Sequence, residues 1–377
     1  MSGTDRSYGV PNALPFWVSL ALVPFAWIAA IYGSFAIALV PLATWALFSI
    51  LDRLSGLDLN NADINADDSA LVWHRLATVV WAPVQFLTVF GTIGYMVRSD
   101  YLSTFEMFGV VFGVGVLSGT IGIVYAHELL HQKNRLERWL GDLLMTMALY
   151  GHFRSEHLLV HHRYVATPRD AVTARYNESF YWFFPRVLAQ SLVSSWNAEK
   201  AMLARKGLPV WDRSNPFWRY VWLDLSWLLL ALVVGGWMGL LLFLFQAFVA
   251  VWQLELVNYV EHYGLTRKHL GDGKYEPQKP HHSWNAGHMA SNRLLINLQR
   301  HSDHHYNPNR RFPLLQTYSE DDAPQLPYGY PVMTTLAMIP PLWRRKMNPR
   351  VRQWRAQFYP EIADWRPYTQ ATNPMPH

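Results

Sequence analysis

The stretch FEMFGVVFGVGVLSGTIGIVYAHELLH, residues 105–131, joins the two features that decide the fold. Residues 105–126 are almost entirely apolar, and a segment of this length crosses a bilayer as a helix. The stretch ends in His127 and His131, which are four residues apart and therefore share one face of a helix. It predicts a membrane helix whose end carries metal-ligating side chains.

The composition of the 377-residue chain also indicates a membrane protein. Hydrophobic residues make up 51% and charged residues only 16%, against about 25% in a typical soluble domain. There are no cysteines, which excludes disulfides, a thiolate nucleophile and an iron–sulfur cluster held by this chain. We expect no haem, flavin or nucleic acid, so electrons for any redox chemistry must come from another protein. The net charge of +5 suits lipid headgroups or an anionic partner.

Six segments are long and apolar enough to predict an all-α, six-helix integral membrane protein. A single membrane-embedded domain, 1–377, should contain them, and the N-terminus MSGTDRSYGVPN gives no sign of a cleaved signal peptide. Gly235 and Gly236 separate the last two segments, which we therefore expect to form a hairpin. The predicted spans are 15–33, 35–51, 76–97, 105–126, 217–234 and 237–260.

Lysine and arginine set the predicted orientation. Residues 127–216 carry 12 of them and residues 261–377 carry 15, whereas the loops at 34, 98–104 and 235–236 carry 0, 1 and 0. Basic loops stay in the cytoplasm. With six crossings, the cytoplasmic side then holds both termini, the acidic loop 52–75 and the two histidine-rich regions, 127–216 and 261–345. Two shorter apolar stretches, 140–150 and 331–343, should lie at the membrane interface.

Fourteen of the 16 histidines fall within residues 127–305, on the predicted cytoplasmic side. Four motifs, HELLH, EHLLVHH, NYVEHYG and RHSDHH, provide nine imidazoles with the spacings of helical metal ligands. Nine ligands suit two metals, and imidazole alone does not choose among Zn, Cu, Fe and Ni. We expect the other histidines of this region to be structural. The predicted ligands are His127, His131, His157, His161, His162, His262, His301, His304 and His305.

Two other metal chemistries fit the motifs less well. H-E-x-x-H alone is the signature of zinc proteases, but an intramembrane protease would take its third ligand from a later crossing and would leave seven histidines unused. Asp272-Gly273, a possible source of that ligand, lies in a polar loop. Soluble carboxylate-bridged di-iron proteins need two copies of Glu-x-x-His, and only Glu128–His131 provides one.

Several stretches resemble one family. HxxxH, HxxxHH and HxxHH behind hydrophobic hairpins are similar to the integral-membrane di-iron desaturases and hydroxylases. Within that superfamily, GHFRSEH (151–157), NYVEHYGL (258–265) and LQRHSDHH (298–305) resemble the membrane-bound alkane 1-monooxygenases. LDRLSGLD (51–58) and HSWN (282–285) extend the similarity, which covers about residues 15–345.

The resemblance implies two non-haem irons held by the nine histidines in a bacterial inner membrane. It implies that O2 and electrons, passed from NADH through rubredoxin reductase and rubredoxin, convert n-alkanes to primary alcohols. The alternatives are a methyl monooxygenase of xylene- or toluene-type aromatics, a fatty-acid desaturase or hydroxylase, and, from another class, a transporter. A transporter would place its ligands at mid-membrane, unlike the clusters here.

The expected reaction suggests which metal is bound and which further residues could serve the site. Hydroxylating an unactivated C–H bond needs a redox metal, so zinc is excluded; iron is the natural choice and copper a weaker one. Carboxylates next to the ligands could support them through their ring N–H groups: Glu128, Glu156, Glu261 and Asp303. Trp45 and Trp81 lie within predicted crossings and could limit the length of an alkane in a cleft.

Overall fold

The computed structural model describes residues 8–366, so the predicted cytoplasmic placement of the two termini lies outside the described residues. Within that range the fold is all-α, as predicted, apart from one two-stranded hairpin, β1 (His269–Gly271) and β2 (Lys274–Tyr275). Five helices are long and apolar enough to cross a membrane: α1 (Val10–Tyr32), α2 (Ser34–Ser55), α3 (Val72–Met96), α4 (Thr104–His131) and α8 (Phe217–His262).

The 46-residue helix α8 reverses direction in its middle. Gly236 has φ 60° and ψ −155°, outside the helical region. A Cβ atom on Gly239 would lie 2.7 Å from the carbonyl oxygen of Ala231, although eight residues of straight helix would span about 12 Å. Phe90 of α3 contacts both Trp227 and Phe243, which lie on either side of the reversal. The expected hairpin is therefore present, while six membrane crossings stay a prediction.

The C-terminal ends of α4 and α8 lie side by side because small residues let the two helices approach. A Cβ atom on Gly119 would lie 2.6 Å from the carbonyl oxygen of Ala250, so only glycine fits there. Ser118 donates a hydrogen bond to Gln246 across the same contact, at 2.8 Å. This packing brings His127 and His131, at the end of α4, next to His262 at the end of α8.

The connections between the long helices also form helices. The segments Phe153–Glu156, His157–His161 and His162–Tyr164 follow without a break and together are called α6. Two short 3₁₀ turns, Pro280–His282 and Phe312–Leu314, complete the elements of this region. The remaining helices are α5 (Arg135–Thr146), α7 (Phe180–Ala204), α9 (Met289–Leu294), α10 (His301–Tyr306), α11 (Tyr330–Ala337) and α12 (Pro340–Phe358).

Helix α5, which overlaps the stretch expected at the interface, packs back along α4. Gly141 lies against Leu130 and the carbonyl oxygen of Ala126, where an added Cβ would meet both at 3.0–3.1 Å. Thr146, at the end of α5, accepts a hydrogen bond from the Trp227 indole at 3.0 Å. The segment therefore re-enters the bundle of long helices.

The acidic loop after α2 is joined by ion pairs to the segment that carries the last histidine motif. Asp58 pairs with Arg293 at 2.7 Å, and Asp68 pairs with Arg311 at 2.5 Å. Asp52 accepts the backbone N–H of Ser291 at 2.8 Å. These contacts hold α9 and α10 against the N-terminal helices and so help to position His301, which begins α10.

Candidate metal centre

The nine predicted histidines converge where α4, α6, α8 and α10 meet, and they divide into two adjoining groups. In each group the ring nitrogens that could bind a metal lie within 4.8 Å of one another. The first group has five members and the second has four. They are His127, His131, His157, His162 and His304, and then His161, His262, His301 and His305.

A local change of helix type decides which group each histidine of α6 joins. Residues His157–His161 form a π turn, in which hydrogen bonds run from i to i+5. In an α-helix, His157 and His161 would lie on the same face and would be expected in the same group. The π turn pairs it with His162 instead, with the two Nε2 atoms 2.9 Å apart, while His161 turns to the second group. In α10, a regular helix, His301 and His305 share a group at i and i+4.

The spacing of the nitrogens fits bound metal. His157 Nε2 lies 2.9 Å from the Nε2 atoms of both His131 and His162. A neutral ring nitrogen offers one N–H or one lone pair, so hydrogen bonding cannot satisfy all three, whereas a cation accepts every lone pair. Two nitrogens that each lie 2.0–2.1 Å from one metal are separated by about 2.9 Å when the N–metal–N angle is 90°. At the tetrahedral angle the separation is about 3.3 Å. Separations of about 3 Å are therefore those expected of nitrogens that share one cation.

The second group has the same geometry. His301 Nε2 lies 3.1 Å from His262 Nε2 and 3.0 Å from His305 Nε2. Burial, followed by the neighbouring imidazoles, holds the pKa of His301 and His305 well below the usual 6.5, and the same causes act on His157 and His304. These rings are therefore neutral at pH 7, which is the form that binds a metal.

One carboxylate orients a ring of α6, and a second carboxylate lies close to a ring of α10. Asp170 accepts a hydrogen bond from His161 Nδ1 at 2.9 Å, which leaves Nε2 without a proton and free to bind a metal. Glu261 Oε1 lies 3.3 Å from His301 Nδ1 and also accepts the hydroxyl of Tyr330 at 2.9 Å. Glu261 was a candidate from the sequence and Asp170 was not. Asp170 lies in a loop after α6, where no periodic pattern links it to a ligand.

The other three carboxylate candidates have different surroundings, and a supporting role for all four stays a prediction. Glu128 accepts a hydrogen bond from the side chain of Gln132 at 2.9 Å. Glu156 is buried, and its Oε1 atom has no hydrogen-bond partner among the described residues. Asp303 is fully buried and binds Arg310 at 2.5 and 2.6 Å, so it anchors the loop after α10.

A third cluster, formed by Glu276, His281 and His282, does not fit a metal. The hydroxyl of Tyr359 lies 3.0 Å from His281 Nε2 and 2.7 Å from His282 Nε2, and it donates to Glu276. His282 Nδ1 accepts the backbone N–H of Lys279 at 2.9 Å, so the ring proton must be on Nε2. A protonated Nε2 has no lone pair for a metal. The cluster is a complete hydrogen-bond network that ties the chain after α12 to the loop before α9.

A small, largely apolar cavity between α4 and α8 reaches both histidine groups. Its apolar lining includes Ile123, Val124, Leu254 and Val257. Its polar lining consists of His127, His157, His301, Asn258 and Glu261. The cavity measures about 20 Å³, whereas a single water needs about 10–15 Å³, so an organic substrate would enter only if these side chains move apart. The sequence could not identify these residues, because an apolar side chain that lines a cavity looks the same in a membrane-spanning segment as one that packs against a neighbouring helix.

The two tryptophans proposed from the sequence lie at different places. Trp81 is buried, donates its indole N–H to Gln85 at 2.8 Å, and lines a second small cavity with Leu117 and Ser118 of α4. Gly119, which follows Ser118, lines the first cavity, so the two cavities are consecutive along α4. Trp45 packs against Trp252, with ring centres 6.3 Å apart, and lines neither cavity. A role in substrate length stays a prediction for both.

The comparisons with known proteins agree with one another on the family. The sequence model of the fatty acid desaturase family matches residues 103–337, which contain all nine histidines. Alkane 1-monooxygenase 1 of Pseudomonas aeruginosa is 39% identical over 90% of each chain. Alkane 1-monooxygenase 2 of Alcanivorax borkumensis is 35% identical over 92% of this chain and 91% of its own. The xylene/toluene monooxygenase hydroxylase component of Pseudomonas putida is 30% identical over 68% of each.

The relatives match nearly the whole chain, and the family region covers the helices that carry both histidine groups. Together with the neutral, closely spaced imidazoles, this indicates a metal site in an integral membrane protein. The resemblance noted on the histidine motifs is thus confirmed: the chain belongs to the fatty acid desaturase family and, within it, to the alkane 1-monooxygenases.

Proposed function

We propose that this protein hydroxylates the terminal methyl group of n-alkanes, using O2 at a pair of irons and electrons from reduced rubredoxin. One observation carries the proposal: histidines of both groups, His127, His157 and His301, line a largely apolar cavity between α4 and α8. The names of the most similar relatives point to the same substrate class. The reaction consumes an alkane, O2, two electrons and two protons, and it yields a primary alcohol and water.

The residues of the cavity would select the end of the chain. An alkane is dissolved in the bilayer, and the walls formed by Ile123, Leu254 and Val257 offer it no polar contact. An alkane that enters lengthwise toward His127 and His157, which line the same cavity, would present its methyl group first. The apolar walls also exclude water from the reacting carbon, which limits side reactions.

The histidines would hold the metals, five in the first group and four in the second. Bound iron would supply the redox chemistry with O2 that zinc lacks. Asp170 keeps the proton of His161 on Nδ1, so that Nε2 of this ring stays available as a ligand. Since the chain has no cysteine and can hold no cysteine-ligated cluster of its own, its electrons must come from a separate protein such as rubredoxin. Rubredoxin would in turn be reduced by NADH through rubredoxin reductase.

We place the protein in the inner membrane of a bacterium, with the histidine groups on the cytoplasmic side. The basic residues of 127–216 and 261–377 support this orientation. It would give cytoplasmic rubredoxin direct access to the metal-binding region.

A second candidate reaction is oxidation of the methyl group of xylene- or toluene-type aromatics. The 30% identity to a xylene/toluene monooxygenase component favours it. The alkane 1-monooxygenases, which are 39% and 35% identical over about 90% of this chain, favour the alkane instead.

The test is reconstitution of the purified protein in lipid with iron, rubredoxin, rubredoxin reductase and NADH. Octane and toluene are supplied separately, and the products are identified by mass spectrometry. We expect 1-octanol, with little benzyl alcohol. Benzyl alcohol without 1-octanol would replace the alkane by the aromatic substrate, and a preparation that retains one zinc and oxidises neither would end both proposals.

A further inference from the structure

Three arginines lie around one buried carboxylate where α5, α6 and α8 meet. Asp142 of α5 is 2% exposed, and its Oδ2 atom lies 2.7 Å from Arg154 of α6 and 3.0 Å from Arg219 at the start of α8. Arg138, one helical turn before Asp142, is on the same face of α5. Burial raises the pKa of this carboxyl, and the positive charges of all three arginines oppose that rise. The three guanidiniums therefore form one cluster.

The positive charge of this cluster is not balanced within the described part of the chain. One carboxylate faces three guanidiniums, and none of the three forms an ion pair with another described carboxylate. A second carboxylate, Glu199, is nearby, since it accepts the hydroxyl of Ser155, the residue after Arg154, at 2.6 Å. Even with Glu199 counted, one positive charge remains. The cluster therefore attracts an anion.

The arginines also keep unused hydrogen-bond donors. A guanidinium carries five N–H donors in a planar fork that matches the oxygens of a phosphate. Among the described residues, Arg154 donates one hydrogen bond, to Asp142, and the Nε atom of Arg219 has no partner. These two side chains are 22% and 39% exposed, so a ligand can reach them from outside the protein. The cluster can thus bind an anion through several oxygens.

Exposed aromatic rings beside the cluster place it at a membrane surface. Arg219 is the third residue of α8, which is long and apolar enough to cross a bilayer. Trp222, one turn later on the same face, is 67% exposed. On α5, the ring of Trp139, which follows Arg138, is half-exposed. Tryptophan is enriched where a membrane protein meets the lipid headgroups, and basic pockets between helices at this level suit anionic headgroups.

We propose that Arg138, Arg154 and Arg219 bind the phosphate of an anionic phospholipid, whose acyl chains lie along the exposed apolar side chains at the start of α8. The phosphate would join one arginine from each of three helices. Because Arg154 lies three residues before His157, a bound lipid would also help to hold α6 in place. The proposal needs only that α8 enters a bilayer, so it goes beyond the proposed function and does not depend on it.

The surroundings favour a lipid over free phosphate. A phosphate ion would leave the rings of Trp139 and Trp222 in contact with water, whereas acyl chains would cover them. The excess of positive charge also favours an anionic headgroup over a zwitterionic one, whose own cation would be repelled.

The experiment measures how tightly the full-length, iron-loaded protein binds dioleoylphosphatidylglycerol. The protein is titrated with this lipid in detergent micelles, and native mass spectrometry gives the apparent dissociation constant of the first bound lipid. The wild type is compared with Arg138→Gln and with Arg138→Gln/Arg219→Gln. The single variant leaves both ion pairs of Asp142 intact, and the double variant keeps the pair with Arg154, so the buried carboxylate always has a partner.

A matched control makes the same charge change away from the cluster. Arg205→Gln/Arg213→Gln replaces two exposed arginines of the segment between α7 and α8. Circular dichroism without added lipid checks that each variant is folded. Should the double variant unfold, Arg138→Gln, which breaks no ion pair, still decides the test.

A basic side chain near an anionic lipid contributes about fivefold to the affinity. We therefore expect Arg138→Gln to bind the lipid about fivefold more weakly and the double variant about 25-fold more weakly, while the control matches the wild type. Equal losses in the control would mean a general attraction by basic residues, and unchanged affinity in the cluster variants would exclude this site. Either result overturns the proposal.

Two further probes identify the ligand. Dioleoylphosphatidylcholine has the same acyl chains and should bind the wild type more weakly than the phosphatidylglycerol does; equal affinities would mean that apolar contacts alone hold the lipid. Inorganic phosphate should not displace the phosphatidylglycerol. Displacement would show that the cluster takes the free ion, and the lipid proposal would be wrong.

Discussion

At the scale of single residues, motif spacing selects the histidines but cannot assign them to the two groups. All nine candidates from HELLH, EHLLVHH, NYVEHYG and RHSDHH do converge. The assignment of His157, His161 and His162 depends on a π turn, which differs from an α-helix by one residue per hydrogen-bonded ring and has no clear sequence signature. Asp170 could not be found from the sequence either, because only the fold of the loop brings it to His161.

Asp170 provides a direct test of how the ligands are supported. Replacement Asp170→Asn removes the negative charge that keeps the His161 ring oriented, and we expect metal affinity to fall about 10–100-fold. Titration of the iron-loaded protein with a chelator measures the change. Thr173→Val is the control, because it removes a 2.7 Å hydrogen bond to the same carboxylate and leaves the charge. Equal losses in the two variants would mean that Asp170 only holds its loop.

Trp81 tests whether the two cavities along α4 form one substrate channel. Trp81→Leu removes a large buried ring from the second cavity, so longer alkanes should gain turnover relative to shorter ones. Products from a mixture of n-alkanes of graded length give the profile. Trp139→Leu, at a half-exposed ring of α5, is the matched control. An unchanged profile in Trp81→Leu would remove this residue from the channel.

At the scale of elements, long apolar segments are the most predictable feature, and their ends and breaks are less so. The structure begins α1 at Val10 and ends α4 at His131, outside the predicted spans 15–33 and 105–126, because a helix continues beyond the apolar part that identifies it. Gly235-Gly236 did predict the reversal of α8. The course of α5 was not predictable, since its contacts with Ala126 and Trp227 are tertiary.

The network around Tyr359 predicts that acid loosens the end of α12. Burial lowers the pKa of His282 to about 4, against 6.5 in an opened segment. Above pH 6.5, His282 is neutral whether the segment is packed or opened. Between pH 6.5 and 4, His282 binds a proton only in the opened segment. The packing of the end of α12 therefore weakens as the pH falls. From pH 6.5 to 5 the loss is about 2 kcal/mol.

Hydrogen exchange of residues 350–362, corrected for the intrinsic effect of pH, measures this opening. We expect faster exchange at pH 5 than at pH 7. Burial also lowers the pKa of His281, to about 3, so it acts in the same direction. The double variant His281→Gln/His282→Gln should therefore lose the pH dependence, and a wild type whose opening is independent of pH would contradict the account.

At the scale of the whole molecule, the chain combines helices long and apolar enough to cross a membrane with a polar region in which nine histidines converge. The close contact of α4 with the second half of α8 brings together the helices that end in His131 and His262, and contacts from residues 52–75 fasten α9 and α10 to the N-terminal helices. Composition and basic loops predict this general plan. Which faces of the helices meet depends on small residues such as Gly119, whose effect is visible only in the packed structure.

The absence of cysteine makes the predicted topology directly testable. Six crossings with both basic regions inside place the α1–α2 turn, the α3–α4 loop and the reversal of α8 on the outer side. Single cysteines at Phe35, Asp100 and Trp237, which are all exposed, should react with a membrane-impermeant maleimide in intact spheroplasts. Cysteines at the exposed Asp67, Lys206 and Asp321 should react only after permeabilisation. Trp237→Cys is the decisive position: if it reacts only after permeabilisation while Asp100→Cys reacts in intact spheroplasts, α8 does not cross the bilayer twice.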